Sequence, residues 1–230
     1  MTFSIDCRDK TTREINQLLR EAIASGQEHV RLLEPEARHN LGVALLCPVH
    51  VVLEGSAGYY CAGMMDGAHV EVRGSVGWGG AESMMNGTLI VDGHAGSGVA
   101  ASIRGGIVVV RGDAAARAGV SMKGGTLLIG GNCGYMAGFM MQKGRIVICG
   151  DAGDALADSM YEGVIFVGGQ IAALGNDAVV EEPTSEDRAW LNEMLVKYHV
   201  PGPTSFRKVV SGRKLWNFDR KEIATWKVAL

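Results

Sequence analysis

Short apolar runs recur through the middle of the chain, and each run ends at a glycine. The first run is VVLEG, and it is followed by VEVRG, LIVDG, VVVRG, LLIGG, IVICG and IFVGG. Runs of aliphatic, mostly β-branched residues that stop at a glycine are typical of short β-strands. The pattern predicts a strand before each of the closing glycines, which are Gly55, Gly74, Gly93, Gly112, Gly131, Gly150 and Gly169.

The closing glycines are spaced by a constant 19 residues. When each of the first six is taken as position 0, positions 3 and 7 are always glycine or alanine, and position 10 is always methionine or isoleucine. Positions that keep one size class over successive repeats stack in the same environment, coil above coil. The sequence therefore predicts an all-β solenoid of the β-helix type with 19-residue coils, in which the glycines supply positive φ at the bends.

Two further columns support this register. The residues before the first four glycines alternate in charge, as Glu54, Arg73, Asp92 and Arg111, which predicts an exposed ladder of ion pairs. Three methionine pairs also recur, and only one member of each pair fits the interior column. Their neighbours are expected to face outward as an adaptable surface for a partner; the pairs are Met64-Met65, Met84-Met85 and Met140-Met141.

Helices are predicted on both sides of the coils as caps. Thr11 and Glu14 have capping-box spacing before an amphipathic stretch that ends at Gly26, and a second helix follows Pro183. We therefore divide the chain into an N-terminal helix and cap (1–29), a β-helix (30–170), and a C-terminal helix with a basic-aromatic tail (171–230). That tail is expected to contact a partner through Phe206, Arg213, Lys214, Trp216 and Phe218.

Composition narrows the class of protein. The 22 basic and 25 acidic residues nearly balance, so nucleic acid is not an expected partner. A signal peptide is not recognisable at the start, and no apolar run reaches the roughly 18 residues that a membrane span requires. The five cysteines lack C-x-x-C spacing and the clustering of a disulfide framework. These features favour a cytoplasmic protein without a membrane association.

Candidate catalytic chemistry is sparse. The chain does not begin with a cysteine nucleophile, and the spacing of Cys133 and Cys149 does not suit an iron-sulfur cluster. The six histidines show no H-x-x-x-H spacing and no carboxylate nearby that would indicate a metal site. Asp113, Asn132 and Asp151 lie near the bends and suit either a ligand contact or Asx-turn hydrogen bonds. No catalytic, cofactor-binding or metal-binding residue is predicted in this chain.

The coils GSAGYYCAGMMDGAHVEVRG (55–74) and GHAGSGVAASIRGGIVVVRG (93–112) resemble the GXGXG domain that ends the glutamate synthase large subunit. The resemblance implies a right-handed β-helix that acts as a non-catalytic structural subunit of a hetero-oligomer. It also implies two partners, a class II amidotransferase-like subunit and a glutamate-synthase-like subunit that carries FMN and an iron-sulfur cluster. This chain would brace them and border the amine or ammonia route, with N-methylglutamate synthase (methylamine-glutamate N-methyltransferase) as the first choice.

Two alternatives stay open. A related coil occurs in the C subunits of formylmethanofuran dehydrogenase and of the formyltransferase/hydrolase complex, which belong to one-carbon metabolism. A free-standing β-helix enzyme is the other alternative. Left-handed acyltransferase helices repeat every six residues, about 18 per coil, and carbohydrate-active β-helices group carboxylates with aromatic residues. The period of 19 and the scattered aromatic residues disfavour both kinds of enzyme.

Overall fold

The computed structural model describes residues 2–213, which form one 11-stranded sheet and two helices. Strands β1 to β9 run parallel in chain order, and β11 lies antiparallel between β9 and β10. The elements are β1 Phe3–Asp6, α1 Thr12–Ala24, β2 His29–Leu33, β3 His50–Glu54, β4 Asp66–Val72, β5 Asn86–Val91, β6 Ile107–Val110, β7 Lys123–Ile129, β8 Lys143–Ile148, β9 Val164–Val167, β10 Ala178–Glu181, α2 Ser185–Lys197 and β11 Arg207–Ser211.

Residues one period apart pair directly across neighbouring coils. Val51 lies opposite Val70 in the parallel ladder between β3 and β4. The closing glycines form a column, in which the amide of Gly93 donates to the carbonyl of Gly74 at 2.8 Å and the amide of Gly112 donates to that of Gly93 at 3.0 Å. The stacking confirms the predicted solenoid, a right-handed β-helix with a helix on each side of the coils in sequence.

The role of the closing glycines differs from the expected one. Only Gly55, with φ at +145°, has a positive φ, and the other six adopt backbone angles open to any residue. Glycine is needed there because the coils approach closely. A Cβ on Gly74 would lie 2.6 Å from the Ser56 hydroxyl, and one on Gly93 would lie 2.5 Å from the Ser75 hydroxyl. The expectation of positive φ is wrong for this column, although glycine remains necessary.

The left-handed residues occur elsewhere in the coil. Positions 5, 7 and 9 of all six coils between Gly55 and Gly169 have φ between 52° and 71°, and most of these residues are not glycine. Every second residue of this segment is left-handed, and the amides of successive left-handed residues point toward opposite ends of the solenoid. Tyr60 donates to Trp78 in the next coil at 2.7 Å, whereas Ala62 donates to Leu41 in the preceding coil at 2.9 Å. The bends thereby keep their backbone groups hydrogen-bonded between coils.

The interior of the solenoid is a continuous apolar core. The methionine and isoleucine column at position 10 is buried, with at most 1% of any side chain exposed; its members are Met65, Met84, Ile103, Met122, Met141 and Met160. Position 7 faces the same core and holds only alanine or glycine, because neighbouring core side chains leave little space there. A Cβ on Gly119 would lie 2.5 Å from Cδ1 of Ile146 and 2.9 Å from the Met122 sulfur.

The N-terminal end of the solenoid is covered by α1 and β1. The Thr11 hydroxyl accepts the Glu14 amide, and the Glu14 carboxylate accepts the Thr11 amide at 2.7 Å, which completes the predicted capping box. The apolar face of α1 buries Ile15 and Leu19 completely against the core. Strand β1 pairs with β2, so the sheet already begins within the segment that the sequence assigned to the cap.

The second helix packs against the side of the solenoid. Its Leu191 joins a second apolar cluster with the outward-facing residues of β6 to β9, which are Val109, Leu128, Val147 and Phe166. Arg111 anchors the end of α2 by donating to the carbonyls of Tyr198 at 2.9 Å and His199 at 3.0 Å. At the C-terminal edge of the sheet, β11 pairs antiparallel with β9. None of the helices within residues 2–213 is long and apolar enough to cross a membrane.

Candidate functional site

A column of polar side chains follows the closing glycines at position 1. Each side chain accepts a hydrogen bond from the amide of its counterpart in the next coil. Asn132 donates its amide to Asp113 at 2.7 Å, and Asp151 donates to Asn132 at 2.8 Å. One side-chain oxygen of each of Asp113, Asn132 and Asp151 is thus used between coils, which favours a structural role over a ligand contact. The bonds cross to the next coil instead of closing the Asx turns that the sequence suggested. The accepting side chains are Ser56, Ser75, His94, Asp113, Asn132 and Asp151, and Gln170 ends the column by donating its amide to Asp151.

The predicted charge ladder forms in part. Asp92 lies between two arginines, 3.3 Å from the Arg73 guanidinium and 3.0 Å from that of Arg111. Glu54 instead pairs with Arg31 of β2 at 2.8 Å. Between 33% and 50% of each of these side chains is exposed to solvent. Each ion pair therefore contributes at most about 1 kcal/mol to stability. The ladder helps to define the register more than the stability.

The methionine pairs divide between the interior and the surface, as the sequence predicts. Met65, Met84 and Met141 are fully buried. Their neighbours are exposed, with 53% of Met64, 46% of Met85 and 44% of Met140 accessible. Flexible thioether side chains at a surface suit adaptable contacts with another protein.

Aromatic residues are exposed on the same non-strand segment of the coils. The Tyr59 ring stacks between the rings of His39 and Trp78, with centroids 4.4 and 5.4 Å away. Tyr59 is 41% exposed and Trp78 is 58% exposed. Gly58 allows this arrangement, because a Cβ there would overlap the His39 ring. Tyrosine, tryptophan and methionine are enriched at protein interfaces. The exposed methionines and aromatics on these non-strand segments are hereafter called the bend surface; they are Tyr59, Tyr60, Met64, Trp78, Met85, Tyr135, Met140 and Tyr161.

The predicted contact residues of the tail are only partly described. Phe206 packs against the cluster under α2 and lines a groove of about 780 Å³ beside that helix. Arg213 is exposed, and its amide donates to the Ser211 hydroxyl at 3.1 Å. Lys214, Trp216 and Phe218 lie outside the described residues. Their role in partner binding stays a prediction.

The cysteines are mostly buried apolar residues. Burial raises the pKa of the Cys61 and Cys133 thiols to about 12 and that of Cys149 to about 11. Cys133 belongs to the interior core, whereas Cys149 belongs to the cluster under α2. The two thiols therefore lie in separate apolar regions, protonated at neutral pH, which suits packing rather than ligation. Cys47 is the most accessible of the five.

A histidine-carboxylate cluster lies on the outer face of β3 and β4. His50 and His69 are opposite each other in the parallel ladder, with ring centroids 4.7 Å apart. Their Nε2 atoms lie 3.1 and 3.2 Å from the same oxygen, Oε1 of Glu71. The sequence-based statement that the histidines lack a carboxylate partner is wrong. The missed signal is the 19-residue spacing between His50 and His69, which equals one coil.

Glu71 is held as an ionised carboxylate. Its partial burial opposes ionisation, but hydrogen bonds from His69 and His50 and the charge of Arg73 outweigh that effect and lower its pKa. The Arg73 guanidinium lies 2.6 Å from Oε2, so Oε1 is left to the two imidazoles. The cluster is half-buried, with 34% of the His50 side chain, 39% of His69 and 19% of Glu71 exposed.

Comparisons with known proteins agree with the solenoid architecture. No protein-family model matches the chain, and a search of curated proteins finds no match. Among solved structures, the chain is similar to a chain of the formyltransferase/hydrolase complex from Methylorubrum extorquens, determined in complex with methylofuran. The TM-score is 0.66 at 25% sequence identity, over 74% of this chain and 67% of that chain.

Proposed function

We propose that this protein is a structural subunit of a hetero-oligomeric complex of the formyltransferase/hydrolase type. The observation that carries the proposal is the likeness to a chain of such a complex, which extends over 74% of this chain. This likeness favours the alternative drawn from the sequence over the glutamate-synthase-type complex. The proposed partners are a formyltransferase chain and a hydrolase chain.

The bend surface supports a role in assembly. It presents Tyr59, Trp78, Met64 and Met85 to solvent on neighbouring coils. Exposed apolar groups in this number are typical of a protein that binds others. The outward side chains of β6 to β9 are already covered by α2, whereas the residues of the bend surface remain exposed to solvent.

Co-purification from the native organism tests this function. We expect the untagged partners to be a formyltransferase and a metal-dependent hydrolase, identified by mass spectrometry. The double variant Met64→Lys/Met85→Lys should lose these partners, because two charges would be desolvated at the interface. The control variant Val180→Lys, on exposed β10, should retain them.

A different set of partners would contradict the proposal. Recovery of an amidotransferase-like chain with an FMN and iron-sulfur chain would select the glutamate-synthase-type complex, which none of the comparisons supports. Recovery of the chain alone, with its own activity, would select a free-standing β-helix enzyme. The cytoplasmic location and the absence of a cofactor in this chain stay predictions from the sequence.

A further inference from the structure

The histidine-carboxylate cluster has the composition of a transition-metal site. Two imidazole nitrogens and one carboxylate oxygen are a common ligand set for Zn²⁺ and related divalent ions. Nε2 of His50, Nε2 of His69 and Oε1 of Glu71 lie within 4.8 Å of one another. We propose that these three residues bind one divalent transition-metal ion, for which Zn²⁺ is the representative.

The distances between the ligand atoms agree with this assignment. A tetrahedral Zn²⁺ ion with bonds of about 2.0–2.1 Å to nitrogen and oxygen separates its ligands by roughly 3.3–3.4 Å. Two of the three separations in the cluster are already 3.1 and 3.2 Å. An ion can therefore enter after small side-chain rotations, without a change in the backbone.

The solenoid fixes these ligands in place. His50 and His69 stand at paired positions of β3 and β4, and the pairing continues through Val51 with Val70 and Val52 with Glu71. His69 and Glu71 are two residues apart on one strand, so both side chains leave the same face of the sheet. Ligands on regular strands are held more precisely than ligands on loops.

The Glu71 carboxylate is oriented to offer one oxygen to an ion. Glu71 supplies a negative charge, and Arg73 occupies its second oxygen, so the carboxylate offers one ligand atom. This outer partner orients the carboxylate in the way that second-layer groups orient metal ligands. Because the three ligands are partly exposed, solvent can reach the ion and complete its coordination. Three protein ligands plus one open position are the arrangement of zinc sites that bind water or a substrate group.

Metal titration of the untagged protein tests the site. The measurements use a Cys47→Ser background, which removes the most accessible thiol. Isothermal titration with Zn²⁺ should show one ion per chain, and Co²⁺ should give the visible ligand-field absorption of a nitrogen- and oxygen-ligated ion. We expect His50→Ala, His69→Ala and Glu71→Gln each to weaken Zn²⁺ binding at least about tenfold, since the loss of an outer-layer partner alone has an effect of that size.

The exposed neighbour His29 provides the matched control. Its ring lies 5.4 Å from that of His50, yet it does not belong to the three-ligand group. His29→Ala should bind Zn²⁺ with unchanged affinity, and Zn²⁺ should raise the Tm of this control but not that of His50→Ala. An equal loss of Zn²⁺ affinity in His29→Ala and His50→Ala would overturn the assignment. Unchanged Zn²⁺ binding in all three ligand variants would also overturn it. Circular dichroism confirms that each variant is folded.

Discussion

At the scale of the residue, the closing glycines and the polar column depend on each other. All of these glycines except Gly55 lack a Cβ at the point where the polar side chain of the preceding coil receives its hydrogen bond. At Gly131 the space that a Cβ would fill is occupied by Oδ1 of Asp113, which accepts the Asn132 amide at 2.7 Å. The 19-residue period reveals the glycines, but the physical reason for them emerges only from contacts between coils.

Gly131→Ala should therefore destabilise the protein. We expect a loss of about 1–3 kcal/mol in the free energy of unfolding, because the methyl group must displace Asp113 or the neighbouring backbone. Urea denaturation measures the loss.

Gly98→Ala is the control. Its Cβ would meet nothing within 4 Å, and its φ of +71° resembles the +58° that Tyr60 adopts at the same position. The control should lose no more than about 1 kcal/mol, the lower end of the strain expected for a left-handed residue. If Gly131→Ala and Gly98→Ala lowered the free energy of unfolding equally, the close approach of the coils would not be the reason for glycine in the closing column.

At the scale of the element, the position of α2 follows from one column of the coils. Position 16 is Glu71 in the first complete coil and becomes apolar in the later coils, where α2 covers Val109, Leu128, Val147 and Phe166. The sequence after Pro183 predicts a helix, but it does not specify which surface the helix covers. The change from Glu71 to apolar residues at position 16 is the sequence signal for the surface that α2 covers. The same change explains why α2 leaves the histidine cluster uncovered.

The contact between α2 and β11 depends on a shielded ion pair. Lys208 Nζ lies 2.8 Å from Asp187 Oδ2, with 16% of each side chain exposed. Lys208→Met should lower the free energy of unfolding by about 1–3 kcal/mol, because the carboxylate loses its charged partner while still shielded from water. Arg188→Met removes an arginine of an exposed pair with Glu182, and should have an effect below about 1 kcal/mol.

This ion pair also predicts a dependence on pH. Burial opposes ionisation of Asp187, but hydrogen bonds from Lys208 and Thr184 outweigh it and lower the pKa. The stabilisation is therefore present above the unfolded pKa of about 4 and is lost as pH falls through the lower folded value. Denaturation curves should show the difference between wild type and Lys208→Met shrinking in acid. A constant difference across this range would contradict the assigned pair.

At the scale of the whole molecule, a solenoid brings into contact residues that are one period apart. The sequence predicts the period, the strands, the capping box and the buried methionine column because each is a local or periodic pattern. Short motif spacings do not reveal the histidine cluster, since His50 and His69 meet only across two coils. The left-handed residues at positions 5, 7 and 9 were also missed, because alanine, serine and methionine rarely signal that conformation.

Modular stacking predicts that a complete coil can be removed. Deletion of residues 74–92 joins Arg73 to Gly93 and keeps every remaining column in register, whereas deletion of 75–84 shifts the inward residues of the following coils. The full-coil deletion should remain folded and unfold cooperatively at a lower Tm, because nearest-neighbour interfaces carry the stability of such folds. It leaves α2 and the buried residues of β6 to β9 beneath it in place, and removes Ile90 from the residues packed against that cluster. Circular dichroism and thermal unfolding distinguish the two deletions, and equal loss of structure in both would show that the coils do not act as repeating units.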